Sequence, residues 1–255
     1  MRPDEVGQTD RMSLLDSWTR DLHESEDGTT RPTYRKGTGP GVIVIHELPG
    51  LTSSVIDFGE EVADAGFTVV LPHLFGHPET QMNAGTLTGA FVQVCTSSEF
   101  TKLATGVTAP LATWLRSLAR TLHGELGGPG VGALGMGFTG GFALAMMVDE
   151  SVAAPVVAQP SVPFAIGRKR GADLNLSPAD VDASAARVAA GCQVLGLRFR
   201  KDRATGTRFD TLRELLGDDF LGVEFEGKGH STLIEHRQQE GIDRVLEFFE
   251  EKLKG

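Results

Sequence analysis

The sequence predicts an α/β protein with a mostly parallel central sheet and helices on both faces. Short β-branched runs, typical of buried strands, alternate along the chain with longer segments that have helical patterns. The 255 residues, 40% of them apolar, suffice for one large core. There is no internal repeat and no low-complexity linker. We therefore expect a polar N-terminal extension over residues 1–30 and a single domain over residues 31–255.

The predicted elements follow one another in regular alternation. Residues 41–47, GVIVIHE, form the continuous apolar run of a strand that is buried on both faces. The segment WLRSLARTL has apolar residues at spacings of three and four, which indicates a helix within residues 100–123. Strands are predicted near residues 33–35 and at 41–47, 67–72, 131–136, 153–159, 192–199 and 220–226. Helices are predicted at residues 55–65, 100–123, 140–149, 178–190, 208–216 and 242–253.

Two segments carry further local signals. A polar insert over residues 165–190 follows a core strand, and its position predicts a lid over the site. Within it, Ser177-Pro178 fits the start of a helix, with proline in the first turn, and RKR at 168–170 fits a solvated patch. Thr232 and Glu235 resemble a capping box for the last helix.

Composition excludes several classes of function. The formal charge of −10 disfavours a nucleic-acid partner. The uncharged stretch over residues 127–148 is rich in glycine and fits strand, turn and buried helix better than a membrane span. Two cysteines provide neither a disulfide framework nor a zinc ligand set, and His73 and His77 lie in a Pro- and Gly-bounded loop. We expect a cytoplasmic monomer or homodimer without metal or cofactor, and no membrane partner.

The stretch GALGMGFTGG, residues 132–141, lies between a predicted strand and a predicted helix and has two interpretations. As G-x-G-x-x-G through Gly135, Gly137 and Gly140, it is the phosphate loop of a dinucleotide site. That site needs an acidic residue after the next strand, which here ends in Gln159. As a nucleophile elbow, it is a sharp strand-to-helix turn with residue 137 at the nucleophile position. The elbow is favoured, although its nucleophile position holds glycine.

Such an elbow predicts an acid and a histidine, in that order, after later strands. Asp202 follows the strand in LGLRFRKD, and His230 follows the last strand in FLGVEFEGKGH. Both stand at carboxyl ends of strands, where the sites of open parallel sheets lie. Taken alone, Asp202 also fits a solvated loop acid, and His230 fits a surface residue before a helix. The ordered combination with the elbow favours a catalytic site.

The stretches IVIHELPGL, LPHLFG, GMGFTGGFALA, FRKD and GKGHSTL together resemble the dienelactone hydrolase family of α/β-hydrolases. The resemblance runs from about residue 31 to the C-terminus and is closest to a branch with the elbow G-M-C-x-T-G-G. It implies an α/β-hydrolase fold, a Cys-His-Asp triad and a Glu after the first core strand. The corresponding positions here are His230, Asp202 and Glu47, with Gly137 at the Cys position and backbone N–H groups of Leu48 and Phe138 as the oxyanion hole.

Gly137 is the main departure from this pattern, because it cannot form an acyl-enzyme. Glycine adopts the positive φ of a strained elbow freely, so the turn can persist without its nucleophile. A relocated nucleophile is not expected, since Thr139 suits a structural hydroxyl and Cys192 begins a core strand. The carboxylate-binding Arg of the family's archetype is also missing, where this chain has Leu233-Ile234-Glu235. Dienelactone itself is therefore not the expected substrate.

Three functions remain open, each with a small-molecule partner. The first is hydrolysis of a small ester, lactone or polyketide-like metabolite by a water that His230 activates. The second is a non-hydrolytic lyase, isomerase or cyclase, in which His230 and Glu47 transfer protons. The third is a ligand-binding pseudoenzyme, against which the retention of Glu47, Asp202 and His230 argues. A composition rich in Gly, Ala and Arg indicates a high-GC genome and fits secondary metabolism.

Overall fold

A single eight-stranded sheet organises the chain. The computed structural model describes residues 13–100 and 104–255, so parts of the predicted N-terminal extension and of the helix over 100–123 lie outside the described residues. The strands are β1 (Thr19–Glu24), β2 (Thr30–Lys36), β3 (Gly41–Ile45), β4 (Thr68–Pro72), β5 (Val131–Met136), β6 (Val152–Ala158), β7 (Val194–Phe199) and β8 (Phe220–Phe225). Their order is β1-β2-β4-β3-β5-β6-β7-β8. β2 is antiparallel to both neighbours, and the other pairs are parallel.

Helices cover both faces of this sheet. They are α1 (Ser53–Asp64), α2 (Ala84–Thr96), α3 (Leu111–Leu126), α4 (Phe142–Met147), α5 (Arg168–Ala172), α6 (Pro178–Ala189), α7 (Arg208–Leu216) and α8 (Gln239–Leu253). The core of one face includes apolar residues of α1 and α8, and that of the other includes residues of α3, α4, α6 and α7. The predicted α/β class with helices on both faces is confirmed. Within the described residues, no helix combines the length and apolar character needed to cross a bilayer.

β3 shows why its apolar run is continuous. Ile43 and Ile45 belong to the core of one face, whereas Val42 and Val44 belong to the core of the other. Successive side chains of a strand point to opposite faces, so a strand covered on both sides needs apolar residues at every position. β3 ends at Ile45, directly before the polar pair His46-Glu47, and Glu47 is one of the predicted site residues.

The N-terminal boundary predicted at residue 30 is wrong. β1 pairs with β2 over residues 19–24 and forms the edge of the sheet, so it belongs to the domain. Its side chains are almost all exposed, and it therefore lacks the apolar alternation that identifies half-buried strands. The strand expected near residues 33–35 is present but extends over all of β2.

Three other differences concern the segments around the site. α2 was not predicted, although Leu87, Ala90, Phe91 and Val94 have helical spacing; only Ala90 and Val94 of its thirteen residues are buried, and the exposed Val92 weakens the pattern. The capping box predicted at Thr232 is wrong: α8 begins at Gln239, and the Thr232 hydroxyl donates to Gln159 Oε1 at 2.6 Å. The segment over residues 165–190 contains α5 and α6. α6 belongs to the helix layer, where Arg187 donates to the carbonyl oxygens of Met147 and Val152. That this segment forms a lid stays a prediction.

Candidate active site

A tight turn joins β5 to α4 at the centre of the sheet. Gly137 has φ +51°, a conformation that glycine adopts without the strain of an L side chain. A Cβ at Gly135 would lie 2.3 Å from the carbonyl oxygen of Thr139, so the turn could not fold as closely with a larger residue. The buried Thr139 hydroxyl accepts from Met136 N at 3.2 Å and lies 3.1 Å from the carbonyl oxygens of Ile45 and His46. Thr139 thus serves structure, as predicted.

His230 and Asp202 form a hydrogen-bonded pair beyond the ends of β8 and β7. His230 Nδ1 lies 2.8 Å from Asp202 Oδ2. Asp202 Oδ1 accepts from Ala204 N at 2.9 Å, and Oδ2 also accepts from the Thr205 hydroxyl at 2.7 Å. The Asp202 side chain is 5% exposed and that of His230 is 34% exposed. The acid is therefore held on both oxygens, while the imidazole keeps access to solvent and ligand.

The pKa values of this pair move in opposite directions. Burial alone would lower the pKa of His230, but the hydrogen bond and charge of Asp202, with the charge of Glu47, raise it above its ordinary value. Burial alone would raise the pKa of Asp202, but the bond to His230 and the donors Thr205 and Ala204 lower it. The geometry fits a Nδ1–H that donates to an ionised Asp202, which leaves Nε2 as the base.

Glu47 follows β3 and is almost completely buried. Its Oε1 accepts from the Ser231 hydroxyl, and its Oε2 lies 3.4 Å from the amide nitrogen of Gln159. Burial raises the pKa of Glu47, although both hydrogen bonds and the nearby His230 oppose the shift. Glu47 is thus a carboxyl group that favours its protonated form more than a solvated Glu does.

The side chains of Glu47 and His230 meet above Gly137. A Cβ built on Gly137 would lie 2.7 Å from Glu47 Oε2 and 3.3 Å from His230 Nε2. Both groups therefore border the space that a side chain at residue 137 would fill. The structure brings together four residues predicted from the sequence, namely Glu47, Gly137, Asp202 and His230.

A cavity of about 270 Å³ opens beside this point. Leu48 and Phe138, the two residues predicted for the oxyanion hole, are part of its lining. Its lining combines apolar side chains with carboxyl, hydroxyl and imidazole groups. The lining residues are Glu47, Leu48, Met82, Leu87, Phe138, Ser161, Phe164, His230, Ser231, Glu235 and His236.

Several residues of the site were not identified from the sequence. Ser231 and Thr205 have no sequence pattern of their own and are recognised only through their bonds to Glu47 and Asp202. Gln159 was noted only because it is not acidic, yet it follows β6 at the same edge as the other groups. A polar residue directly after a buried parallel strand is the signal that could have identified Gln159.

His46 and His73 have structural contacts. His46 is fully buried, its Nδ1 lies 3.1 Å from the carbonyl oxygen of Glu47, and its Nε2 accepts from Leu74 N at 3.1 Å. Burial lowers the pKa of His46 to about 3, so its ring is neutral. His73 Nε2 lies 3.1 Å from the carbonyl oxygen of Gly76. Among residues 13–100 and 104–255, no three His, Cys, Asp or Glu side chains are grouped for a metal ion.

Comparison with protein families agrees with this geometry. The family described as "Dienelactone hydrolase family" matches residues 29–182, which is more than half of the chain. The chain belongs to the dienelactone hydrolase family. The matched region contains Glu47 and Gly137, whereas Asp202 and His230 lie beyond it and are joined to the site by the geometry above. The strand order and the family together establish the α/β-hydrolase fold and support a hydrolase-like enzyme.

Solved structures share the fold across nearly the whole chain. The α/β hydrolase GrgF from Penicillium sp. sh18 is 12% identical, with a TM-score of 0.65, and the match covers 93% of this chain and 99% of that one. A dienelactone hydrolase-like promiscuous phosphotriesterase from metagenomic libraries is 16% identical, with a TM-score of 0.61 and coverage of 93% and 99%. The Pyrococcus furiosus esterase Pf2001 is 13% identical, with a TM-score of 0.64 and coverage of 98% and 98%. A search of the curated proteins gives no match.

Proposed function

We propose that this member of the dienelactone hydrolase family hydrolyses a small ester or lactone with water as the nucleophile. The observation that carries the proposal is the convergence of His230 Nε2 and Glu47 Oε2 on the space above Gly137. In the family pattern a cysteine side chain stands there. With glycine at this position, no acyl-enzyme forms, and the space is available to a water beside the general base.

The reaction then needs one base and one acid, and His230 serves as both. Nε2 removes a proton from the water while its oxygen attacks the carbonyl carbon of the ester. Asp202 holds the ring orientation through Nδ1 and stabilises the imidazolium that forms. The tetrahedral intermediate collapses with cleavage of the bond to the alcohol oxygen, and His230 returns the proton to that oxygen. The products are a carboxylic acid and an alcohol.

Backbone donors complete the site in this proposal. Leu48 follows Glu47 after β3, and Phe138 follows Gly137 after β5, so their N–H groups belong to the two turns that flank the reacting carbonyl. Donors fixed by the backbone need little reorganisation as charge develops on the carbonyl oxygen. One donor of this kind contributes about 3 kcal/mol in characterised hydrolases.

A second candidate is a non-hydrolytic lyase, isomerase or cyclase. The raised pKa of Glu47 favours this candidate, because a carboxyl group that holds its proton more readily than a solvated Glu faces the same space as the His230 imidazole. Such a pair can remove a proton at one atom of a substrate and supply one at another, and the same backbone donors would stabilise an enolate.

Substitution of Gly137 distinguishes these candidates. We expect purified protein to hydrolyse p-nitrophenyl acetate without a burst, and Gly137→Ala to lose at least about a hundredfold, because its methyl group would occupy the space of the water. Gly217→Ala is the matched control, since Gly217 has a similar φ of +58° and its added Cβ would meet nothing within 4 Å. It introduces an L side chain at a similar positive φ, away from the site.

The outcomes separate the candidates. Turnover that survives in Gly137→Ala or in His230→Ala would overturn the water mechanism. An inactive native protein, together with hydrolysis gained by Gly137→Cys, would favour the non-hydrolytic candidate. A ligand bound equally well by His230→Ala, with no turnover of any kind, would indicate a binding protein.

A further inference from the structure

α2 lies over the cavity and is weakly packed. Of its thirteen residues only Ala90 and Val94 are buried. Leu87, Phe91 and Val92 are 37%, 44% and 55% exposed, respectively, which is unusual for large apolar side chains on one short helix. Leu87 nevertheless lines the cavity, together with Met82 just before the helix. α2 thus presents an apolar side chain directly to the ligand space.

Aromatic rings connect α2 to the elbow. The Phe91 ring of α2 stacks on Phe164, with centroids 5.7 Å apart and planes at 29°. Phe164 in turn lies 6.3 Å from the ring of Phe138, the residue after Gly137. Phe138 and Phe164 both line the cavity. An apolar wall therefore runs without interruption from the reacting position to the outer edge of α2.

The charges of the cavity exclude one class of ligand. Among residues 13–100 and 104–255, its lining contains the carboxyl groups of Glu47 and Glu235 but neither Lys nor Arg. A carboxylate or phosphate group on the ligand would lie beside these acids, and His230, which is already paired with Asp202, would have to compensate its charge. Burial already raises the pKa of Glu47, which shows that negative charge is disfavoured at this position.

We propose that α2 is a substrate-binding cap, and that the substrate is an uncharged ester or lactone whose apolar chain lies against Met82, Leu87 and Phe164. The proposal rests on the proposed function, which supplies the reacting ester group. The argument for specificity uses only the apolar wall and the charged groups of the cavity lining. The proposal assigns the covering role to α2 and makes Leu87 a specificity-determining residue. A cavity of about 270 Å³ is near the lower end of ligand sites, so the chain is short to medium in length.

Selectivity for chain length tests the role of Leu87. We expect wild-type protein to have a higher kcat/KM for p-nitrophenyl octanoate than for the acetate. Leu87→Ala should lower this ratio by about tenfold, because the chain loses most of its apolar contact with the Leu87 side chain. The ratio is unaffected by a change in the fraction of folded protein. Val92→Ala is the matched control, since Val92 lies on the same helix but does not line the cavity.

Binding of uncharged ketones tests the substrate class without requiring hydrolysis. In a protein-detected NMR titration, wild-type protein should bind 2-octanone about tenfold more tightly than 2-butanone, from the additional apolar area buried. Octanoate should bind at least tenfold more weakly than 2-octanone. Equal affinity for octanoate, an unchanged ester ratio in Leu87→Ala, or tighter binding of 2-butanone would overturn the proposal.

The ester experiment and the ketone experiment can fail independently of each other, and the two failures have different meanings. If the ketone series behaves as expected but no ester is hydrolysed, the cap is supported and the hydrolytic function falls. If esters are hydrolysed but chain length and charge have no effect on binding, the hydrolytic function is supported and the cap falls.

Discussion

The two sides of the Gly137 position are built differently. On one side, which we call the acid–base side, Glu47, Asp202 and His230 are fixed by hydrogen bonds to one another or to neighbouring groups. On the other, the apolar side, Leu87 belongs to a helix with only two buried residues. Proton transfer requires fixed distances, whereas recognition of an apolar chain tolerates a surface that adjusts. The difference indicates that the fold positions the chemistry firmly and leaves specificity to a weakly attached element.

Removal of the negative charge next to His230 should have the largest effect. Asp202→Asn keeps the size of the side chain but favours the wrong tautomer of His230, and we expect kcat/KM to fall by about a thousandfold to ten-thousandfold. A titration of the His230 ring by NMR should also show a lower pKa, because the bond and charge of Asp202 raise it in the native protein.

The NMR titration remains informative even if the reaction is not hydrolysis. Asp210→Asn makes the same chemical change on the exposed surface of α7 and should leave both measurements unchanged. A variant at Asp202 that keeps its activity, or a His230 pKa that does not fall, would show that the acid–base side does not depend on this pair.

The second largest effect should come from substitution of Arg208, which supports the acid–base side. Arg208 is 1% exposed and donates to carbonyl oxygens of Asp173, Ala204 and Thr205, among others. It thus connects the loop of Asp202 to the segment that follows β6. Arg208→Met would leave several buried carbonyl groups without a donor, at about 1–3 kcal/mol each, and should lower the free energy of unfolding by about 3–5 kcal/mol.

Urea unfolding measures this change, with Arg200→Met as control. Arg200 follows β7 as well, but its side chain is 56% exposed and pairs only with the exposed Glu226. Its substitution should change stability by less than about 1 kcal/mol. Equal losses in the two variants would contradict a special role of Arg208 in holding the acid–base side.

The same comparison explains how much could be predicted from the sequence. The acid–base side could be predicted in part, because Asp202 and His230 follow the neighbouring strands β7 and β8 at the same edge of the sheet, whereas Glu47 was implied by the family resemblance. The boundaries of β5 and α7 also agree with their predictions. The family resemblance is confirmed by the match over residues 29–182.

The apolar side could not be predicted in this way. In α2 the helical spacing of Leu87, Ala90, Phe91 and Val94 is weakened by the exposed Val92, and β1 lacks alternation because it lies exposed at the edge of the sheet. The partners Ser231, Gln159 and Thr205 contact the site through distances that no sequence spacing encodes. Hydrophobic patterns report burial, so an element with few buried residues has a weak pattern.

The smallest expected effect is a pH dependence of stability that comes from the Asp202–His230 pair. The folded pKa of His230 lies above its ordinary value, so this group stabilises the fold below about pH 6.5, and the contribution is lost as pH rises through the folded pKa. The folded pKa of Asp202 lies below its ordinary value, so its contribution is present above about pH 4 and is lost as pH falls. The pair should therefore contribute most between about pH 4 and pH 6.5.

Urea unfolding at pH 5.5 and at pH 8.5 tests this window in the wild-type protein and in His230→Gln. The wild type should lose more stability than the variant on going to the higher pH, because only the wild type gives up a proton bound at His230. Glu47 also has a raised pKa and destabilises the fold at higher pH in both proteins; because His230 opposes this shift, the measured difference is the net effect of His230 on its own titration and on that of Glu47. An equal loss in the two proteins would mean that the folded pKa of His230 is not raised. The acid–base side would then be held only by its backbone and hydroxyl donors. It would differ from the apolar side in the geometry of these hydrogen bonds and not in the charges of the Asp202–His230 pair.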